Sequence, residues 1–345
     1  MKKTFIIAEA GVNHNGNLEL AYELIKAAAE AGADAVKFQI FKAQNLVTKS
    51  AQRAAYQLSK QVKTEGSQLE MLKKLQLNFE EFMKLKACCE KTSIQFLTSV
   101  FDFESADFVD DLVNMYKIPS GEIINLTFLK HIATKGKPII LSTGMSDLGE
   151  VEKAVHTILA HQPEINSDFP SLTLLHCTTN YPCSLEEVNL YAMETLKQAF
   201  KLPVGYSDHT LGLEVAISAV ALGATIIEKH FTLDRKLPGP DHKASLEPPE
   251  FKRMVTMIRN IERALGDGIK KPNRSEMEIR KVVRKSLVAT KDLKAGTVLD
   301  EDMITTKRPG TGIAPADLSR VLGMTLKKDK VADEVITWQD LKSAD

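Results

Sequence analysis

The chain has little of what marks an exported, membrane-bound or nucleic-acid-binding protein. It carries four cysteines in 345 residues, Cys88, Cys89, Cys177 and Cys183, and their spacings include no metal-type CxxC pair. Nothing at the start signals export, so these read as reduced thiols and the expected location is the cytoplasm. The opening MKKTFIIAEAG has two lysines but only four mainly apolar residues before Glu9. That is too short for a signal peptide and suits a first buried strand. No apolar run approaches the roughly 18 residues needed to cross a bilayer, so no membrane partner is expected. Net charge is missing as well: 45 Lys and Arg balance 45 Asp and Glu. No overall field draws the chain to nucleic acid or an anionic surface, and any anion site must be built locally. The sequons Asn125-Leu126-Thr127 and Asn273-Arg274-Ser275 mean nothing in a cytosolic chain. P-loop, GxGxxG, HExxH and GxSxG motifs are all lacking, which removes the commonest nucleotide, zinc-protease and hydrolase readings.

What is present is a rhythm. Short apolar runs alternate with helix-period segments from the start to about Gly266. The runs are Phe5 to Ala8, Ala35-Val36, Ile94 to Leu97, Met115 to Ile118, Pro138 to Leu141, Leu172 to Leu175, Val204 and Thr225 to Ile227. Helical patterns cover Asn17 to Ala31, Phe79 to Glu90, Glu150 to Leu159, Leu185 to Phe200, Glu214 to Leu222 and Glu250 to Leu265, with Gly266 as a C-cap. About eight strand-helix units in about 265 residues predict an α/β fold, a (β/α)8 TIM barrel; a doubly wound sheet is the alternative. The domain expectation is a barrel over 1–266, a charged linker over 267–285 and a small module over 286–345 with short apolar pieces between turns. The long segment Phe41 to Leu77 breaks the rhythm. With Ser67 to Leu75 helix-like, it is expected to form a partly ordered flap over one barrel mouth.

Residues that end barrel strands point into one mouth, so their types describe the substrate. Here they are Glu9 with Asn13 and His14, Lys37 and Gln39, Thr98 and Ser99, and Lys117 with Ser120 and Glu122. Ser142 and Thr143, His176 with Thr178 and Thr179, Ser207 with His209, and Glu228 with His230 complete the set. Buried lysines need anionic partners, and hydroxyls around them donate to phosphate or carboxylate oxygens. The bland alternative pairs Lys37 and Lys117 with Glu9 and Glu122. His209 and His230, at matching positions of neighbouring strands, suit a shared divalent metal with positions left open for substrate. Asp208 and Glu228 flank these histidines, either orienting them or serving structure. Asp241 and His242, after a Pro-Gly-Pro turn, lie where a loop reaches substrate hydroxyls. His131, His156 and His161 lie on helical stretches and read as solvated.

Taken in order, these residues carry a resemblance. Glu9-Ala-Gly-Val-Asn13-His14-Asn-Gly16, Val36-Lys37-Phe-Gln39, Tyr116-Lys117-Ile-Pro-Ser120-Gly121-Glu122 and Leu141-Ser142-Thr-Gly-Met145 are four of its segments. His176-Cys-Thr-Thr179-Asn-Tyr181-Pro182, Gly205-Tyr-Ser207-Asp208-His209, Glu228-Lys-His230-Phe-Thr and Gly239-Pro-Asp241-His-Lys-Ala-Ser are the others. Together they resemble the sialic acid (nonulosonic acid) synthase family. Arg284-Lys-Ser286 with Lys307-Arg308-Pro-Gly310 looks like its antifreeze-like (SAF) domain. The resemblance implies a barrel followed by that β-rich domain, and a condensation of phosphoenolpyruvate with an N-acylated hexosamine. The product is a nine-carbon 2-keto sugar acid, N,N'-diacetyllegionaminate or N-acetylneuraminate, plus phosphate. A pseudaminate product belongs to the same family. The segments AEAGVNHNG, GDGIKK and VRKSLVA look closest to legionaminate-type members.

Carried over by position, the resemblance implies a divalent Mn2+ or Mg2+ on His209 and His230. Phosphoenolpyruvate falls to Lys37, Ser99, Lys117, Ser120, Ser142, Thr179 and Ser207; the sugar and proton transfer fall to Glu9, Gln39, Tyr181 and Asp241. Arg308 reaches in from the partner of a domain-swapped homodimer. Ser99 and Thr179 stand where some members have Thr and Asn, and Arg284 where some have an aromatic. Two rivals remain at this point: a metal-independent aldolase with a Schiff base on Lys117, and an inactive barrel whose tail binds sugar or ice.

Overall fold

A computed structural model of the protein describes residues 3–52 and 67–342. The chain divides after Asp267 into two compact units, each with its own core. The first is a closed barrel of eight parallel strands in sequential order. They are β1 (Phe5–Gly11), β2 (Ala35–Ile40), β3 (Gln95–Val100), β4 (Tyr116–Ile118), β5 (Ile139–Ser142), β6 (Leu172–Cys177), β7 (Val204–Asp208) and β8 (Ile226–His230), with β8 closing on β1. This is the expected (β/α)8 architecture. Helices fill the connections, and local chemistry starts them: Asn78 with Glu81 and Asp147 with Glu150 form reciprocal caps.

Two helices, Phe103–Phe108 and Leu126–Ala133, cover strands for which the sequence pattern offered no helix. Leu185 to Phe200 is not one helix. A single 3-10 turn spans Leu185–Glu187, and a helix follows over Ala192–Phe200. Asn189 between them has a left-handed backbone (φ 48°), which an uninterrupted helix cannot contain. In the long β2–β3 connection the described helices are Ala43–Leu46, Gln68–Leu75, capped by Ser67 and Glu70, and the barrel helix Phe79–Lys91. Residues 53–66 of the expected flap lie outside the described residues.

Strand alternation builds the barrel interior in layers. Ile7, Ala35, Leu97, Met115, Ile140, Leu175 and Ile226 form an apolar plug. Two residues further along each strand stand Glu9, Lys37, Ser99, Lys117, Ser142, Cys177 and Glu228, all buried. Successive side chains of a strand point to opposite faces, so a step of two keeps the face and moves one layer towards the C-terminal mouth. The residues between them, such as Ile6, Phe38, Phe96, Tyr116 and Tyr206, join the core under the helices.

The second unit contains a helix, Arg274–Val283, within the stretch that reads as a linker. All ten of its residues are exposed, including Met277, Ile279, Val282 and Val283. Beyond it, β9 (Ser286–Ala289) pairs with β10 (Ile304–Lys307), and β11 (Thr325–Leu326) with β12 (Leu341–Lys342). Its apolar core is small, centred on Leu287, Leu299, Val321, Ile336 and Leu341. An ion pair crosses it: buried Lys330 lies 2.9 Å from Asp340, which Lys328 and Thr337 also contact. Burial opposes ionisation of Asp340, but bonds to Lys328, Lys330 and Thr337 outweigh it and hold the carboxyl well below its usual range. A depressed carboxylate stabilises the fold above its unfolded pKa of about 4, and that contribution fades as pH falls through the folded value. Asp340→Asn is therefore expected to cost about 3 kcal/mol at neutral pH, as for a broken buried pair. Thermal melting from pH 7 to pH 2.5 checks this: the gap from wild type narrows below about pH 4.

Candidate active site

The C-terminal mouth of the barrel opens into a cavity of about 200 Å3. Every barrel residue assigned to metal, phosphoenolpyruvate or sugar, from Glu9 on β1 to Asp241 after β8, lines it, whereas the other expected mouth residues Asn13, His14, Thr98, Glu122, Thr143, His176, Thr178 and His242 do not. Arg308 belongs to the second unit and is exposed there. Of the three helical histidines, His156 and His161 are exposed, while His131 pairs with Asp107 at 2.6 Å.

The floor is a network of charge. The Lys37 ammonium lies 2.5 Å from Glu9 Oε2, donates to Ser99 Oγ at 2.8 Å and stands 3.6 Å from Glu228 Oε1. Lys117 donates to Ser142 Oγ at 2.7 Å and lies 3.8 Å from the same Glu228 oxygen. Ser207 Oγ donates to that oxygen at 3.1 Å. The bland pairing thus holds for Lys37 with Glu9 but not for Lys117 with Glu122, whose carboxylate instead accepts from Asn125. Burial opposes charge on every member, and neighbours decide the outcome. Burial and the nearby Glu228 push Glu9 up against the pull of Lys37. Glu228 is held down, its burial outweighed by Lys117 and Lys37. Lys117 falls through burial, with Lys37 adding repulsion, whereas the two carboxylates overcome burial to raise Lys37.

Beside this network the imidazoles of His209 and His230 stand 5.4 Å apart between ring centres, with the Tyr181 ring 4.2 Å from that of His209. Burial lowers both histidines, and mutual repulsion adds to it at His230, so both are neutral at pH 7. A backbone carbonyl accepts only, so His209 Nδ1 donates to Thr178 O at 2.6 Å. That fixes the tautomer and leaves Nε2 as an acceptor, 3.5 Å from Ser207 Oγ. His230 Nδ1 is buried without a hydrogen-bond partner among the described residues, 4.0 Å from Asp241 Oδ2. Two neutral imidazoles, one pre-set as an acceptor and one with an orphaned nitrogen, fit a divalent ion. Among the described residues no group of three or more His, Cys, Asp and Glu side chains is arranged to hold a metal, so the protein would supply two ligands and leave positions open.

Two glycines let polar groups converge. At Gly11, with φ +53°, an added Cβ would lie 3.1 Å from Glu9 Oε1, 3.2 Å from Gln39 Nε2 and 3.6 Å from Asp241 Oδ2. At Gly144 it would fall 2.5 Å from Thr179 Oγ1 and 2.8 Å from Ser120 Oγ. Burial and the nearby Glu9 push Asp241 up to about 7, the range of a group that takes and returns protons at neutral pH. Its loop is anchored from below. Ser245 Oγ donates to Asp241 O at 2.7 Å, Asn13 donates to Ser245 Oγ at 2.9 Å, and fully buried His242 contacts Thr232 and Asn15.

The comparison with known proteins agrees with this geometry. The NeuB family pattern matches residues 24–270 and the SAF domain pattern residues 284–342. The N,N'-diacetyllegionaminic acid synthase of Campylobacter jejuni is 52% identical over 97% of this chain and 99% of its own. The chain belongs to the NeuB family. A second N,N'-diacetyllegionaminic acid synthase, from Legionella pneumophila, is 48% identical over 98% of this chain and 95% of its own. The solved N-acetylneuraminic acid synthetase of Leptospira borgpetersenii superposes with a TM-score of 0.70 at 36% identity, covering 81% of this chain and 90% of that one. As a NeuB-family chain this protein is an enzyme, which removes the inactive-barrel rival.

Sequence reasoning left Glu228 undecided between orienting a histidine and serving structure, and it omitted Cys177. Their signal is parity. Glu228 is two residues before His230 and shares its face, whereas Asp208 points outward and pairs with buried Lys229 at 2.7 Å. Glu228 is the one carboxylate within reach of both Lys37 and Lys117 among the described residues. Glu228→Ala is expected to destabilise this NeuB-family enzyme by about 3–5 kcal/mol, as for a buried charge left unpaired. Added inorganic phosphate should restore part of the loss by binding the same lysines. Melting curves with and without phosphate check it; an unchanged melting temperature would contradict the bridging role.

Proposed function

We propose that the protein condenses phosphoenolpyruvate with an N-acylated hexosamine, forming a nine-carbon 2-keto sugar acid and phosphate. N,N'-diacetyllegionaminate is the favoured product and N-acetylneuraminate the alternative. The observation that carries this reading is the floor of the cavity, where two buried ammonium groups, Lys37 and Lys117, stand among Ser99, Ser142 and Ser207 beside the neutral imidazoles of His209 and His230. A ligand with both phosphate and carboxylate matches two cations and a ring of hydroxyl donors.

His209 and His230 would hold a divalent ion, Mn2+ or Mg2+. When bound, that ion supplies Lewis-acid polarisation of the acceptor's aldehyde oxygen. Lys37 and Lys117 neutralise the phosphate and carboxylate, and Ser99, Ser120, Ser142, Thr179 and Ser207 orient them in a water-poor pocket. C3 of phosphoenolpyruvate attacks the open-chain aldehyde, water adds at the cationic C2, and phosphate leaves with C–O cleavage. Glu9, Gln39 and Asp241 hold the acceptor where they converge at Gly11, with Asp241 moving a proton at its oxygen. Tyr181 packs on His209 and borders the sugar. Free thiols support a cytoplasmic setting. No described helix is long and apolar enough to cross a membrane.

One observation favours a second reading. Burial lowers the Lys117 amine, which suits Schiff-base formation with a keto acid. Borohydride trapping of pyruvate on Lys117, with activity surviving a chelator, would support it. The primary reading expects phosphate release only when phosphoenolpyruvate, an N-acetylated hexosamine and a divalent metal are all present. It also expects His209→Ala or His230→Ala to lose bound metal and more than about 100-fold in rate, beyond the loss typical of outer-sphere changes. Near-normal turnover and metal content in either variant would contradict the assignment.

Arg308 is proposed to complete the site of the partner in a domain-swapped homodimer. The exposed apolar side chains of helix Arg274–Val283 support a surface that a second copy covers. Mixing refolded Arg308→Ala and Lys117→Ala chains tests this. Half the dimers are then mixed and each holds one intact site, so about a quarter of wild-type activity should return. No recovery would place Arg308 in its own chain's site or in none.

A further inference from the structure

The backbone pairing between β7 and β8 stops one residue short of the two candidate metal ligands. Its last pair in register is Asp208 with Lys229, and His209 and His230 each follow at the next position. Backbone pairing alone therefore does not fix how far apart the two imidazoles stand. On one flank His209 is tied to the segment after β6. Its ring donates to Thr178 O at 2.6 Å, and its carbonyl accepts from Cys183 N at 2.8 Å. His230 is tied on the other flank, in register with Glu9 of β1 and with its carbonyl accepting from Leu246 N at 2.8 Å. These ties lead to opposite neighbours, and none joins one histidine to the other.

The join is made behind the barrel wall. Lys229 precedes His230, so it points to the opposite face of β8, where it is wholly buried. Its ammonium donates to Asp208 Oδ2 at 2.7 Å and to Thr210 O at 2.6 Å. Among the described residues its hydrogen bonds all fall on the two neighbours of His209 in the chain. Asp208 Oδ1 completes the clamp by accepting from Thr210 N at 2.9 Å and Thr210 Oγ1 at 2.8 Å. A charge pair this deep adds little net stability, because desolvation of both ions offsets their attraction. What it supplies is direction, holding Asp208 to Thr210 in one position against β8. We propose that Lys229 and Asp208 are positioning residues that set the spacing of His209 and His230, and with it the affinity for a divalent ion. A neutral pair of similar volume would hold the fold but not that spacing. The inference rests on the reading of His209 and His230 as metal ligands.

The test titrates Mn2+ into the full-length, metal-free protein and follows the free ion by electron paramagnetic resonance, beside melting curves of the same samples. Asp208→Asn combined with Lys229→Met removes both charges and keeps an acceptor for Thr210. This double variant should melt close to wild type, as a replaced buried pair often does. It should nevertheless bind Mn2+ about 10–100-fold more weakly, the range for losing a group that orients a metal ligand. Thr210→Val keeps the ion pair and removes one bond of the clamp, so it should show a smaller loss in the same direction. Protection of each variant from melting by inorganic phosphate should match wild type, because Lys37 and Lys117 are untouched. A folded double variant with wild-type Mn2+ affinity overturns the positioning role; if that variant does not fold, wild-type affinity in Thr210→Val does so. Phosphate protection that falls in step with Mn2+ affinity also overturns it, since that marks a general collapse of the mouth. Each of these results leaves the metal assignment intact. Mn2+ binding that is absent from wild type, or unchanged in His209→Ala, overturns that assignment and this inference with it.

Discussion

Two lysines inside a barrel set the terms for the rest of the molecule. An ammonium group moved out of water needs negative charge nearby, and Lys37 and Lys117 find unequal amounts of it. Lys37 sits between Glu9 and Glu228 and stays charged. Lys117 has only that same Glu228 oxygen, at 3.8 Å, and is pulled down by burial. The arrangement is short of anionic charge near Lys117, on the side where Ser142 stands. An incoming dianion or trianion would relieve that shortage. The pocket's electrostatics therefore point to a small acid carrying phosphate before any family membership is considered.

The same layer explains why the imidazoles stay neutral. Two lysines add positive potential to the desolvation of His230, and His209 has its proton directed to a carbonyl. Neutral imidazole is the form that binds metal ions. On the proposed reading the cationic floor and the pair of histidines act together, and anion binding and Lewis-acid chemistry would not compete for protons. The Asp241 loop borders the arrangement, held by side-chain bonds from Ser245, Asn13 and His242 together with its own backbone bonds.

Much of this was legible in the amino-acid order because barrel strands obey simple rules. Ile7 to Glu9, Leu97 to Ser99 and Ile226 to Glu228 each step from plug to chemistry in two residues, so apolar runs that end in polar residues announced both fold and site. Local patterns failed where the determinant was non-local. Leu185 to Phe200 has helical periodicity, yet Asn189 turns left-handed and splits it. The helix at Arg274–Val283 has caps but no buried face in its own chain, so its charge reads as a linker. Glu228 and Asp208 look alike beside their histidines, and only the facing direction of β7 and β8 separates them.

The central claim is that the floor between β2 and β8 holds phosphoenolpyruvate while His209 and His230 hold the metal. A crystal of the enzyme grown with Mn2+ and phosphoenolpyruvate tests it in one measurement, through the anomalous signal of manganese. The account predicts a peak shared by His209 and His230, with phosphate and carboxylate oxygens within hydrogen-bond reach of Lys37 and Lys117. A peak away from both histidines, or a ligand that leaves both lysines paired only with Glu9 and Glu228, would contradict it.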